Sequence, residues 1–245
     1  MLKLSYDLHI HSCLSPCGDE DMTPANIVAM SALKGLNVIA VTDHNSCRNC
    51  PAVMKWAKEY DIIAIPGMEL CTMEEVHVLC LFEELSDALR FDEYVYAKLM
   101  RYPNDERAFG KQEIYDEEDQ LLGVEPYLLI NATNISFDEL GMLMEKFNGV
   151  YIPAHMDKNS NSLISNLGFI PPNADFLAAE LAKLTNLERI SQGNPHLKRC
   201  NIITNSDAHT LENINEAVNF MECKSRDKKD ILTALVTRGK SFGYP

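Results

Sequence analysis

Basic side chains are in short supply: 22 lysines and arginines stand against 36 aspartates and glutamates, for a net charge of −14. So acidic a chain presents no broad positive face, and duplex nucleic acid is not an expected partner, although a cleft filled with metal ions can still hold a phosphate. A small phosphorylated molecule or a short single-stranded oligonucleotide is the expected partner. Long apolar runs are missing too. No segment of about eighteen apolar residues occurs, and no charged start leads into a short apolar stretch, so neither a membrane span nor an export signal is expected and the chain reads as cytoplasmic. Internal repeats, low-complexity tracts and any nucleophilic serine or cysteine motif are absent. What remains is a globular composition, 46% hydrophobic and 24% charged over 245 residues, enough for one large domain or a domain with an insertion.

Eight cysteines without an export signal read as thiols or metal ligands rather than as a disulfide framework. Cys47 and Cys50 form a C-x-x-C pair, but no second such pair exists to complete a four-cysteine zinc site. A redox pair, half of a zinc site and two packed thiols all remain open for them.

The organising stretch is Asp7-Leu8-His9-Ile10-His11-Ser12, which closes an apolar run beginning at Leu4. Side chains two apart on a strand share a face, so His9 and His11 project together while Leu8 and Ile10 take the other side. Thr23-Pro24 caps a helix that Gly35 stops. Asn37 to His44 is a short run rich in β-branched residues, read as a buried strand ending in Asp-His. Pro51 to Tyr60 reads as a helix, and Ile62 to Glu69 as a strand ending on a carboxylate. Val76 to Phe82 is a further strand, and a hairpin turning through Thr72 to Glu75 would set His77 beside Glu69.

From Glu83 to Gly149 the pattern changes to charged helical stretches, Asp87 to Arg101 and Gln112 to Leu122, followed by a helix with a capping box, Ser136 and Glu139, that stops at Asn148-Gly149. We read residues 83–149 as an inserted, mainly helical subdomain acting as a lid or substrate-reading wall, with 1–82 and 150–245 as the main unit. Val150 to His155 and Asn201 to His209 are again apolar strands with terminal His or Asp, and Phe176 to Leu181 is ambiguous between strand and helix. The tail holds a strand, Ala217 to Glu222, and a helix from Asp227 to Arg238 that Gly239 ends.

Strands alternating with helices imply parallel β-α units, whose ligand sites lie beyond the carboxyl ends of the strands. Five apolar strands end in His9 and His11, His44, Glu69, His155, and Asp207 and His209. A single one of these is an ordinary loop histidine or helix cap; five at one end of one sheet point to a metal centre. Asp7 and Asp43 are either acceptors for a ligand imidazole or loop caps. Arg48 and Lys158 either hold a substrate phosphate or are solvated charges.

At this point the chain resembles the PHP (polymerase and histidinol phosphatase) domain family, of the stand-alone metal-dependent phosphoesterase type. The matching stretches are DLHIHS, VIAVTDHN, IPGMEL with EVHVL, YIPAH and TNSDAH, in the family's order across nearly the whole chain. The resemblance implies an α/β fold, a distorted seven-stranded (β/α)7 TIM-like barrel holding two or three zinc, manganese or iron ions. It places His9, His11 and Asp207 on one metal, His77 and His155 on a second with Glu69 bridging, and His44 and His209 on a third. Where the family often carries Asp or His, this chain has Ser15-Pro16-Cys17-Gly18, so Cys17 stands either as the third metal's remaining ligand or as a packed thiol. The implied activity is hydrolysis of a phosphate ester by a metal-bound hydroxide held by Glu69, Asp207 and His209. The alternatives are amide hydrolysis at the same site and a non-catalytic metal-binding module.

Overall fold

The fold is described from a computed structural model covering residues 1–237 and the backbone of Phe242–Gly243. The chain runs β1 (Leu2–Ile10), α1 (Pro24–Leu33), β2 (Val38–Val41), α2 (Cys50–Glu59), β3 (Ile63–Ala64), β4 (Gly67–Cys71) and β5 (His77–Phe82). There follow α3 (Leu85–Lys98), α4 (Glu106–Phe109), β6 (Glu113–Tyr115), β7 (Leu121–Val124) and α5 (Leu140–Lys146). The remainder is β8 (Gly149–Pro153), α6 (Leu163–Leu167), β9 (Ala178–Glu180), α7 (Leu187–Gly193), β10 (Asn201–Ile203), β11 (Phe220–Cys223), α8 (Lys228–Val236) and β12 (Phe242–Gly243). No helix among the described residues is long and apolar enough to cross a membrane.

This is a mixed α/β fold. Among the described residues the strands form a five-stranded sheet in the order β12-β11-β1-β2-β3, a three-stranded sheet β4-β5-β8, and the pairs β9-β10 and β6-β7. Single parallel bridges, Ile10 to Ala208 and His44 to Glu69, tie residues beyond β10 and β2 to β1 and β4.

The expectation of parallel units holds for β1-β2-β3 and β9-β10 only. β4 and β5 form the expected hairpin, and β8 runs antiparallel to β5, as β11 does to β1. The five residues between β4 and β5 are too few for a helical crossover, which forces the chain to reverse. Pro66 has no amide hydrogen to donate and splits the expected strand over Ile62–Glu69 into β3 and β4.

The antiparallel run decides where the ligands meet. β5 enters at the edge where β1, β2 and β4 finish, so its expected site residue comes at its first position, His77, opposite Cys71. β8 then returns to the same edge, and Ala154 N donates to His77 O at 3.0 Å. The core beneath gathers Leu4, Tyr6, Leu8, Leu79, Leu81, Ile152, Ala178 and Ile203. Leu8 and Ile10 do not pack together as alternation suggests. A register shift between Asp7 and Ile10 turns Ile10 toward α1 and α2, where it joins Ile27 and Val53.

Helix expectations fare well where caps are local. The Thr23 side chain accepts from Asn26 N, and the Ser136–Glu139 capping box leads through one tight turn into α5. The stretch 112–122 is not a helix but the β6–β7 hairpin, turned by Asp116, whose Oδ1 accepts from the amides of Glu118 and Gln120. Gly239, the expected stop of the last helix, lies outside the described residues, and α8 itself ends at Val236.

The 83–149 segment is fastened to the rest by charge as well as by apolar packing. Glu125, 2% exposed, accepts from the Arg48 guanidinium, from Tyr96 Oη at 3.0 Å and from Tyr127 N at 3.0 Å. Arg48 also stacks 4.3 Å from the Tyr96 ring centroid. We therefore expect Glu125→Ala to lower the unfolding free energy by about 2 kcal/mol, because a charge-assisted bond and two further acceptor contacts are lost inside the protein. Urea denaturation checks this, and bound metal should be unaffected.

Candidate metal centre

The Glu69 carboxylate, 1% exposed, sits among five imidazoles. His77 Nδ1, His155 Nε2 and His9 Nε2 lie 3.0, 3.1 and 3.2 Å from its Oε1. His44 Nδ1 and His11 Nε2 lie 2.9 and 3.4 Å from its Oε2. Asp207 Oδ1 approaches from the other side, 3.4 Å from His9 Nε2 and 3.3 Å from His11 Nε2. His9 and His11 do share a face, with their Nε2 atoms 3.1 Å apart.

Two of the expected site residues are held in left-handed backbone, His155 at φ 28° and Asp207 at φ 53°. Such conformations in residues other than glycine persist only where surrounding contacts fix them, and they concentrate at functional sites.

The residues present fit divalent metal. Three groups place their donor atoms within 4.8 Å of one another: His9, His11 and Glu69; His44, Glu69 and His77; and His11, His44 and His209. Glu69 Oε2 and the Nδ1 atoms of His44 and His77 are buried with no hydrogen bond of acceptable geometry, although they lie within 3.0 Å of carboxylate or imidazole neighbours. Imidazole nitrogens and carboxylate oxygens that converge in this way are the donor arrangement a cation satisfies.

The electrostatics of the metal-free cluster agree. Burial alone would push Glu69 up, but the imidazoles of His77, His9 and His44 outweigh it and hold the carboxyl well below its usual range. Burial pulls His9 down, yet Glu180, Asp207 and Glu69 raise it well above normal, while burial and His44 hold His11 well below. Glu69 likewise overcomes burial at His77 and brings it to about 10. A cation bound here would compete with protons for these groups.

Supporting side chains fix the ligands. Glu180, 2% exposed at the end of β9, places both carboxylate oxygens 3.1 Å from His9 Nδ1, and it accepts from His155 N at 2.9 Å and Asn205 Nδ2 at 2.8 Å. Glu180 was not among the expected site residues. Its signal was the common one, an apolar strand ending on a carboxylate, in a stretch that also reads as helix.

Asp43 accepts from Ser12 N, Ser12 Oγ and Ser15 Oγ at 2.7, 2.6 and 2.7 Å, and Ser15 Oγ lies 2.9 Å from His11 Nδ1. It therefore reaches an imidazole through Ser15, not directly. Asp7 accepts from the amides of Ser206 and Asn215 at 3.0 and 3.1 Å, which makes it a loop cap for the turn preceding Asp207.

Lys158 lines the cavity over the cluster, about 250 Å³ in volume, and its ammonium pairs with Asp207. Cys17 lines the same cavity, in a tight turn where a Cβ on Gly18 would come 2.3 Å from Ser12 O, but it joins none of the three donor groups found among the described residues. His11, rather than Cys17, accompanies His44 and His209. Arg48 is bound to Glu125 and Asp92 and does not line the cavity, so its expected part in phosphate binding is withdrawn. Cys47 and Cys50 are buried, and both thiols point to Gly67 O, at 3.3 and 3.4 Å. They pack beneath the site and belong to no donor group.

Comparison with known proteins follows this geometry. The PHP domain profile matches residues 7–163. The uncharacterized protein MJ1587 of Methanocaldococcus jannaschii is 34% identical over 98 residues, covering 36% of this chain and 57% of that protein. Endonuclease Q from Pyrococcus furiosus superposes with a TM-score of 0.68 at 20% identity, over 98% of this chain and 58% of that one. A two-domain protein from Bacteroides vulgatus containing a predicted PHP-like metal-dependent phosphoesterase gives 0.58 at 15% identity, over 99% and 65%. This chain thus spans little more than half the length of the first two.

One comparison corrects an expectation. Endonuclease Q in complex with a 27-mer duplex carrying an abasic lesion at the active site has the same fold, with a TM-score of 0.66 at 19% identity over 98% of this chain and 58% of that one. Duplex nucleic acid is therefore not excluded by the acidic net charge. A whole-molecule sum does not fix the field at one mouth.

Because Glu180 orients His9 and tethers the backbone of His155, Glu180→Gln should weaken retention of divalent metal by about 10- to 100-fold with the fold intact. Competition against a chromophoric chelator measures this, and circular dichroism controls for folding.

Proposed function

This chain belongs to the PHP domain family, and on that premise we propose that it is a metal-dependent phosphoesterase acting on a small phosphate ester at the Glu69 cluster. The observation that supports this most is the pairing of donors on both oxygens of one buried carboxylate, with Asp207 and the Lys158 ammonium at the same mouth. The ligand assignment we favour is His9, His11 and Asp207 on one ion, His77 and His155 on a second with Glu69 between them, and His44 and His209 on a third. Divalent ions bound by these residues would supply positive charge to a phosphoryl group and lower the pKa of water.

The remaining work falls to the chain's own residues. Lys158, released from Asp207, is positioned to pair with a non-bridging phosphoryl oxygen, and Ser160 and Asn161 beside it offer hydrogen bonds. Glu180, and Asp43 through Ser15, hold the His9 and His11 rings with Nε2 toward the cluster. Cys17, an exposed residue on the cavity wall, is available to the third site.

We take residues 1–82 and 150–245 as one distorted seven-stranded barrel. The bridges Ile10–Ala208 and His44–Glu69, and the bond from Met156 N to Glu180 O, support that reading by joining neighbouring sheets edge to edge. Residues 83–149 we take as the inserted wall. A second reading, cleavage of a phosphodiester in nucleic acid, is favoured by the likeness in fold to endonuclease Q.

Turnover of a panel containing aryl and sugar phosphomonoesters, a phosphodiester and an abasic duplex, with and without added manganese, separates these readings. The expected result is metal-dependent release of phosphate from monoesters, abolished by chelator, restored by metal and lost in Glu69→Ala. Turnover of the duplex alone would favour the second reading, and undiminished turnover by folded Glu69→Ala would remove the cluster from the chemistry.

A further inference from the structure

The 83–149 segment contributes one residue, Ile130, to the lining of the cavity over the Glu69 cluster. Among the described residues that line this cavity it is the one aliphatic side chain; the others carry imidazole, carboxylate, ammonium, hydroxyl, amide or thiol groups. An aliphatic residue in a lining otherwise made of polar and ionisable residues offers nothing to a phosphoryl group. It suits the carbon skeleton attached to one.

The position of Ile130 is set from outside its own segment. Asn45, which follows the ligand His44, is 1% exposed and sits in left-handed backbone at φ 50°. Its Nδ2 donates to Leu129 O at 2.7 Å and to Asn131 O at 2.8 Å, the two carbonyls flanking Ile130. Its Oδ1 accepts from Cys71 N at 2.8 Å, and its own amide donates to Glu69 O at 2.9 Å. One asparagine thus ties the turn bearing Ile130 to the strand bearing Glu69. Further ties hold the same turn: Leu129 N donates to Gln112 Oε1, Thr133 Oγ1 donates to Cys71 O, and Leu129 packs with Leu14 and Leu99. An asparagine whose carboxamide is fully engaged and whose backbone is left-handed is replaceable by few residues.

Building on the phosphoesterase reading, we propose that Asn45 and Ile130 are the specificity latch of this site. Asn45 fixes the turn, and Ile130 forms the wall against which the carbon part of the ester packs. The site therefore prefers esters whose group next to the phosphate is carbon-rich over those with a minimal or charged one. Both are positioning or recognition residues, and neither holds metal.

Binding of two non-hydrolysable probes tests this without depending on turnover. Phenylphosphonate and methylphosphonate share the anion and differ in the carbon group. Calorimetry on manganese-loaded protein should show tighter binding of phenylphosphonate. Ile130→Ala should weaken that binding by about tenfold while altering methylphosphonate by less than about twofold, the range expected when a few methyl groups leave an apolar contact.

Asn45→Asp tolerates the left-handed backbone but loses both donated bonds. It should reproduce the selective loss, speed amide exchange across residues 128–133, and leave bound manganese at the wild-type ratio. Equal losses on the two phosphonates in Ile130→Ala would overturn the wall. Unchanged exchange, or loss of manganese, in Asn45→Asp would overturn the latch. Failure of the wild-type protein to bind either phosphonate would instead contradict the phosphoesterase reading beneath it.

Discussion

A buried carboxylate surrounded by five imidazoles is the constraint from which the rest of this structure follows. Glu69 is 1% exposed, and an isolated carboxylate so placed would be neutral or would destabilise the fold by several kcal/mol. Here the surrounding rings hold it ionised, so its charge is balanced by protons on neighbouring imidazoles or by cations in their place. The strand directions serve this arrangement. β5 and β8 run antiparallel to the neighbours that a uniform β-α repeat would supply, and in doing so they bring the start of one strand and the end of the next, His77 and His155, to one carboxylate.

Around that centre the fold spends a second set of buried polar groups on orientation. Glu180 serves His9 and the backbone of His155, Asp43 serves His11 through Ser15, and Asp7 holds the turn that carries Asp207. Each of these three carboxylates is buried and hydrogen-bonded, which is the condition for tolerating such groups in an interior. Asn45 extends the same logic outward, linking the Glu69 strand to the turn that carries Ile130. The candidate site residues, their supports and the cavity wall form one connected hydrogen-bonded framework.

Much of the candidate site's gathering of side chains was legible because its signal is local: an apolar run followed by His, Asp or Glu marks a strand end without knowledge of the partner strand. The hairpin that sets His77 beside Glu69 was legible for the same reason, since a five-residue connection permits little else. What depended on distant partners was not. Arg48 looked available for phosphate because Glu125, which binds it, lies 77 residues away in sequence. The β6–β7 hairpin was read as helix because its acidic residues suit both states, and only the Asp116 side chain, capping amides two and four residues on, makes the turn. Glu180 ends a three-residue strand, too short for periodicity to separate from helix.

The central claim is that Glu69 is the shared ligand of more than one ion. Crystals grown with manganese, with anomalous data collected on the metal, test it most directly. The account predicts at least two anomalous peaks, each within about 2.5 Å of a Glu69 carboxylate oxygen and within similar reach of the surrounding imidazoles. A single peak, or peaks that leave Glu69 uncoordinated, would contradict it.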